Sequence, residues 1–176
     1  MFEEVTGLPA HPLFVHAPII LVPLLALVGV VYVLIPPLRR KLDWALVPLA
    51  VAAPASVWAA RMSGEAFQAR LAGKDMMPPE LADAVAVHAG HSWVLWWLAL
   101  ALGGVSLLLV LSDLFLGQRE PVDFEAEAAG TGKRTGVFRI IVIVLLGLGL
   151  LGLAGASGWY VYQTGHTGGS MVWEGS

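Results

Sequence analysis

The chain has 176 residues, 57% of them hydrophobic and 13% charged, with a net charge of -3 and a mean hydropathy of +0.76. Water-soluble domains carry about 25% charged residues, so this balance sets the chain apart from them. No long basic run offers a footprint for nucleic acid, and the absence of cysteine excludes disulfides, thiolate metal sites and iron–sulfur ligation, leaving nitrogen and oxygen as the donors for any metal.

The N-terminus, Met1-Phe2-Glu3-Glu4-Val5, lacks the basic segment of a secretory signal, and the apolar run after it is too long for one. The first helix is therefore expected to stay in the mature protein. That run, residues 13–35, is the first predicted span, since about 20 apolar residues cross the ~30 Å hydrocarbon layer as a helix. His11-Pro12 puts a proline at the first helical position, and His16 follows five residues later, about 140° around the axis. Pro18 and Pro23 remove two backbone donors and predict a kink. Pro36-Pro37 ends the helix, and the positive cluster Arg39-Arg40-Lys41 follows.

The second span is predicted over 44–60. The connection 62–91 reads as partly helical, with a short amphipathic helix from Ser63 to Leu71 that carries Glu65, and a second start at Pro78-Pro79-Glu80. No breaker separates Leu81 from the third span, 92–116, so one continuous helix is expected to project beyond the membrane. On it Leu81, Ala84, Val85, His88, Ser92 and Leu95 follow three-and-four spacing, with His91 one turn beyond His88, which turns both histidines inward. Asp113 near the far end of this span is expected to snorkel or to pair with an arginine. Gln118 to Gly136, with Arg119, Lys133, Arg134 and the acids Glu120, Asp123, Glu125 and Glu127, reads as a solvated loop. The fourth span, 137–162, is punctuated by Gly147, Gly149, Gly152, Gly155 and Gly158, with Gly152 and Ala156 as a small-xxx-small pair suited to close helix approach. His166 follows in Thr164-Gly165-His166-Thr167-Gly168-Gly169, which reads as a loop or tail at the bundle mouth.

The expected fold is thus an all-α, single-domain bundle of four transmembrane helices. Both short loops after odd-numbered spans carry positive charge, and the positive-inside rule places them in the cytoplasm and both termini on the outer side. With that topology all five histidines, His11, His16, His88, His91 and His166, gather at the outer end, with Glu65 beside them. Trp93, Trp96, Trp97, Trp159, Tyr160 and Tyr162 sit where an outer aromatic belt belongs.

The run His11-Pro12-Leu13-Phe14-Val15-His16-Ala17-Pro18 resembles the first-helix motif HPxxVHxP of an uncharacterised bacterial family of four-helix integral membrane proteins. Ser63-Gly64-Glu65, His88, and Gly165-His166-Thr167-Gly168 followed by Val172-Trp173 look like further marks of that family, so the resemblance covers most of the chain. It implies a bacterial inner-membrane protein, and the fusion of some relatives to Rieske-type domains implies a redox setting.

Histidine is the commonest nitrogen donor for metals and haem. Two opposed imidazoles in an apolar bundle are the ingredients of a haem b site, with His16 facing His88 or His91. A non-haem centre of iron, copper or zinc, built from His11, His16, Glu65, His88 and His166, uses the same residues with mixed imidazole and carboxylate donors. Either reading points to electron transfer, with the lipid bilayer and a redox partner protein or membrane complex as partners. The alternative of a different class is an accessory subunit without cofactor, whose histidines serve as interfacial hydrogen-bond donors. Transport ranks last, because beyond Asp113 the span centres offer no ionisable path.

Overall fold

The computed structural model describes residues 4–5, 7–115 and 131–173. A minimal antiparallel pairing of β1 (Glu4–Val5) with β2 (Leu8–Pro9) opens it, reversed at Gly7, whose φ of 83° suits a residue without Cβ. Five helices follow: α1 (Ala10–Phe14), α2 (His16–Leu34), α3 (Arg39–Ala72), α4 (Pro79–Phe115) and α5 (Thr131–Trp173). Val15 interrupts α1 and α2, three residues before Pro18, a position from which no N–H can continue the helical ladder. At the predicted kink the two helices are parted by Val15 alone, which keeps helical φ and ψ of -64° and -23° and donates to the His11 carbonyl at 3.1 Å. Pro36–Leu38 forms a single 3-10 turn that swings the chain into α3.

The four long apolar stretches, α1 with α2, α3, α4 and α5, are each long and apolar enough to cross a membrane. They pack in a ring in which α2 touches α3 and α5, and α4 touches α3 and α5, leaving α2 and α4 as a diagonal pair. The core along the axis is built of Val22, Leu25, Tyr32, Leu46, Ala53, Ala99, Leu102 and Leu150, all at or near zero exposure. The outside is as apolar as the inside: Ile20, Leu27, Leu145 and Leu148 are exposed, and only 11% of the most apolar stretch of α5 is buried. A helix apolar on all sides asks for hydrocarbon around it, which is the pattern of a multi-pass membrane protein.

Two helices run further than expected, and a third projects as expected. The second span and the expected separate helix at 63–71 are one element, α3, and α5 continues through the expected loop to Trp173. The projecting helix before the third span is present as the first turns of α4. At 1.5 Å per residue these helices reach roughly 50 to 65 Å, well beyond a ~30 Å hydrocarbon layer. Their polar overhangs lie together: Arg61 on α3 donates to Ser92 of α4 at 2.9 Å and stands 4.6 Å from the Trp93 ring, and His88 of α4 meets Thr167 of α5. Of the expected loop 118–136, residues 131–136 form the first turns of α5 instead, and the acidic part with Arg119, Glu120, Asp123, Glu125 and Glu127 lies outside the described residues.

Glycine use divides sharply. A Cβ on Gly29 would press on Leu150 at 3.1 Å, one on Gly147 on Val33 at 3.1 Å, and one on Gly103 on the backbone carbonyl of Ala50. Gly149, Gly152, Gly155 and Gly158 meet nothing within 4 Å, so close approach inside the bundle uses Gly103 and Gly147 rather than the pair Gly152 and Ala156.

Candidate functional site

The short helix α1 exists because Pro9 and Pro12 favour a helix start and the interruption at Val15 ends it. It packs on the overhang of α3, with Ala10 fully buried, and this carries the His11 ring onto α3. There the His11 Nδ1 lies 3.0 Å from the Ala60 carbonyl oxygen and 3.2 Å from Ser63 Oγ, and the ring stacks on Phe67 at 6.3 Å and 19°. Gly64 gives the ring its room: a Cβ there would stand 3.0 Å from His11 Cε1.

A carbonyl only accepts, so the contact with Ala60 assigns the proton of His11 to Nδ1. Ser63 agrees with this, since its hydroxyl already donates to Ala60 at 2.8 Å and has only a lone pair left for the imidazole. His88, on the overhang of α4, is held in the same way. Its Nδ1 is 3.1 Å from Thr167 Oγ1, and the Thr167 hydroxyl donates to the Gln163 carbonyl at 2.8 Å, so the imidazole is again the donor. Gly168 makes the matching space, with a Cβ there 3.2 Å from His88 Cε1. In its neutral form each imidazole therefore carries its proton on Nδ1 and its lone pair on Nε2.

The two rings meet each other, with centroids 6.3 Å apart and planes at 88°. Each is half-buried. This pair joins two imidazoles from neighbouring parts of the bundle, one on α1 lying against α3 and one on α4, each with an oxygen behind its Nδ1, the arrangement that orients ligating imidazoles.

The other expected residues are placed differently. His16 is exposed and has no hydrogen-bond, ion-pair or ring partner among the described residues; five residues of rotation turn it away from the face that His11 uses. His91 faces inward, its ring 6.0 Å from Tyr160, and its Nδ1 is buried without a partner. Glu65 is exposed and pairs with Arg61 one turn earlier on α3 at 3.4 Å. His166 is exposed on α5, its ring 5.8 Å from Tyr162 and tilted 42° to it, while Thr167 one position on takes the inward direction. Among the described residues no three or more histidine, aspartate or glutamate side chains gather as a metal-holding group. The histidine end thus brings together His11 and His88, and it sets His16, Glu65 and His166 apart from them.

Ser63, Phe67 and Thr167 complete the site and were not among the expected site residues. A signal for them did exist, since Ser63-Gly64 and Thr167-Gly168 stand in the two stretches that resemble family marks. Each pairs a hydroxyl with a glycine, the hydroxyl behind an imidazole and the glycine beneath its ring. Comparison of the chain with protein-family models, curated proteins and solved structures returns no match.

Proposed function

We propose that this protein is a multi-pass protein of the bacterial inner membrane, a member of the HPxxVHxP family, with both termini on the outer side, in which His11 and His88 hold a redox metal, haem b iron or a single non-haem ion, for electron transfer. The observation that carries the reading is the pair of Nδ1-anchored imidazoles with free Nε2 lone pairs. Donor count favours haem iron, which two imidazoles would suffice to hold, over zinc, which would need further protein donors. The ring centroids lie 6.3 Å apart, so both imidazoles would be within reach of one bound group. When bound, the metal supplies reversible one-electron exchange. The chain's own contribution is to fix both tautomers, through Ala60 and Ser63 for His11 and through Thr167 for His88.

The test is an absorption spectrum and elemental analysis of the purified protein. About one metal or haem per chain is expected, lost in His11→Ala and in His88→Ala and kept in His16→Ala. A colourless, metal-free protein, or one whose cofactor survives loss of both His11 and His88, refutes the reading. A second reading is an accessory subunit in which the same contacts act as clamps, since His11 ties α1 to α3 and His88 ties α4 to α5. It predicts that both alanine variants lower thermal stability and that no preparation contains a cofactor.

A further inference from the structure

The opposite end of the bundle holds a cavity of about 730 Å³ whose polar walls are Tyr32, Arg39, Arg40, Asp43, Asp113 and Arg139. Arg39 is fully engaged within the protein: Nε donates to the Tyr32 carbonyl at 2.9 Å, one terminal nitrogen to Asp113 at 3.3 Å, and the other to the Val33 carbonyl at 3.4 Å. It neutralises Asp113 and satisfies the last carbonyls of α2.

What remains is unbalanced. Arg139 places one terminal nitrogen 3.7 Å from Asp113, but its Nε is buried with no acceptor. Arg40 is exposed and has no partner among the described residues. Asp43 Oδ1 is buried with no donor. Among the described residues Arg40 has no anion, Arg139 keeps only its 3.7 Å contact with Asp113 and an unpartnered Nε, and one Asp43 oxygen lacks a donor, all within a single cavity. A simple anion would satisfy the first need and sit against Asp43; a simple cation would do the reverse. A group carrying a phosphate and an ammonium together meets both, and charge-assisted bonds to each are about twice as strong as neutral ones. The rim supplies the remaining clue: Leu34, Ile35, Leu114 and Phe115 are exposed there, an apolar skirt at the end of the spans where acyl chains lie.

We propose that this cavity binds a phospholipid through its headgroup, with the phosphate on Arg40 and Arg139 and a primary ammonium on Asp43, as phosphatidylethanolamine would present them. Basic pockets between membrane helices are built for lipid phosphates; the unpaired carboxylate adds selectivity for an amine-bearing headgroup.

The test uses the full chain in detergent with an equimolar mixture of phosphatidylethanolamine, phosphatidylglycerol and phosphatidylcholine, read by native mass spectrometry. Wild type is expected to retain phosphatidylethanolamine about tenfold over phosphatidylcholine, the scale of one charge-assisted hydrogen bond. Arg40→Gln, an exposed position whose change leaves the fold intact, and Arg139→Gln should each reduce phospholipid retention several-fold. Asp43→Asn should remove the preference for the amine headgroup while total phospholipid retention holds. Equal retention of all three lipids, insensitivity to both arginine variants, preference for phosphatidylglycerol, or displacement of lipid by millimolar inorganic phosphate would each overturn the proposal.

Discussion

Gly103 and Gly104 are neighbours in sequence, yet alanine at the two positions should act in opposite directions. A Cβ on Gly103 would press into the Ala50 carbonyl oxygen on α3, with the carbonyl carbon at 3.3 Å and Cα at 3.6 Å, whereas a Cβ on Gly104 meets nothing within 4 Å. The obstacle at Gly103 is backbone, so it cannot swing aside as a flexible side chain would. Helices α3 and α4 must part by on the order of 1 Å, and a gap of 0.5 to 1 Å forfeits roughly a quarter to a half of each dispersion contact across the seam. Overpacking of this kind costs roughly 1 to 3 kcal/mol, and a backbone obstacle puts Gly103→Ala at the upper end. Gly104→Ala adds no clash and gains helix propensity of about 0.5 to 1 kcal/mol. The two variants should therefore differ by roughly 2 to 4 kcal/mol. Thermal unfolding in one detergent, followed by circular dichroism and by the fluorescence of the seven tryptophans, measures the gap. If Gly103→Ala unfolds at the wild-type temperature, or if both variants shift together, the close α3–α4 crossing at Ala50 is wrong.

Asp113 accepts from Tyr32 Oη at 3.2 Å and from Arg39 at 3.3 and 3.4 Å, with its side chain one-fifth exposed. Asp113→Asn should cost about 2 kcal/mol, below the 3 to 5 kcal/mol seen when one partner of a fully buried pair is removed, because solvent screens part of the charge. Tyr32→Phe should cost about 1 kcal/mol in the same unfolding assay, the net worth of one hydrogen bond. At the histidine end, Gly64→Ala and Gly168→Ala should leave the fold intact and push the His11 and His88 rings by a few tenths of an ångström. They are expected to weaken or shift the spectrum of any cofactor held there, while Gly90→Ala, with open space around it, should not. Because the chain has no cysteine, single substitutions report topology directly. Asp75→Cys should react with a membrane-impermeant maleimide in intact cells and Lys41→Cys should not, and the reverse pattern refutes the orientation with the histidine end outward.

Hydropathy alone determined that this chain forms four long apolar helices, because the requirement for about 20 consecutive apolar residues is local and each run can be read without its neighbours. Proline placement was local only in part. Pro18 and Pro36-Pro37 stand beside the interruption at Val15 and the turn before Arg39, whereas Pro23, Pro48 and Pro54 lie inside unbroken helices, where neighbouring contacts outweigh one lost backbone bond. Helix ends were less legible: α3 and α5 run past the fall in hydropathy at residues 60 and 162, since their polar overhangs are held by contacts with α1 and α4 that no local window contains. Asp113 was expected to snorkel or to take an arginine, and it has Arg39 and Arg139 beside it. Which histidines meet was decided only by tertiary structure. The five histidines share an end of the bundle by sequence, but facing is a matter of helix rotation and axial register between elements far apart in the chain. Those two quantities turned His11 onto Ala60 and Ser63, brought His88 against it, and left His16 facing outward.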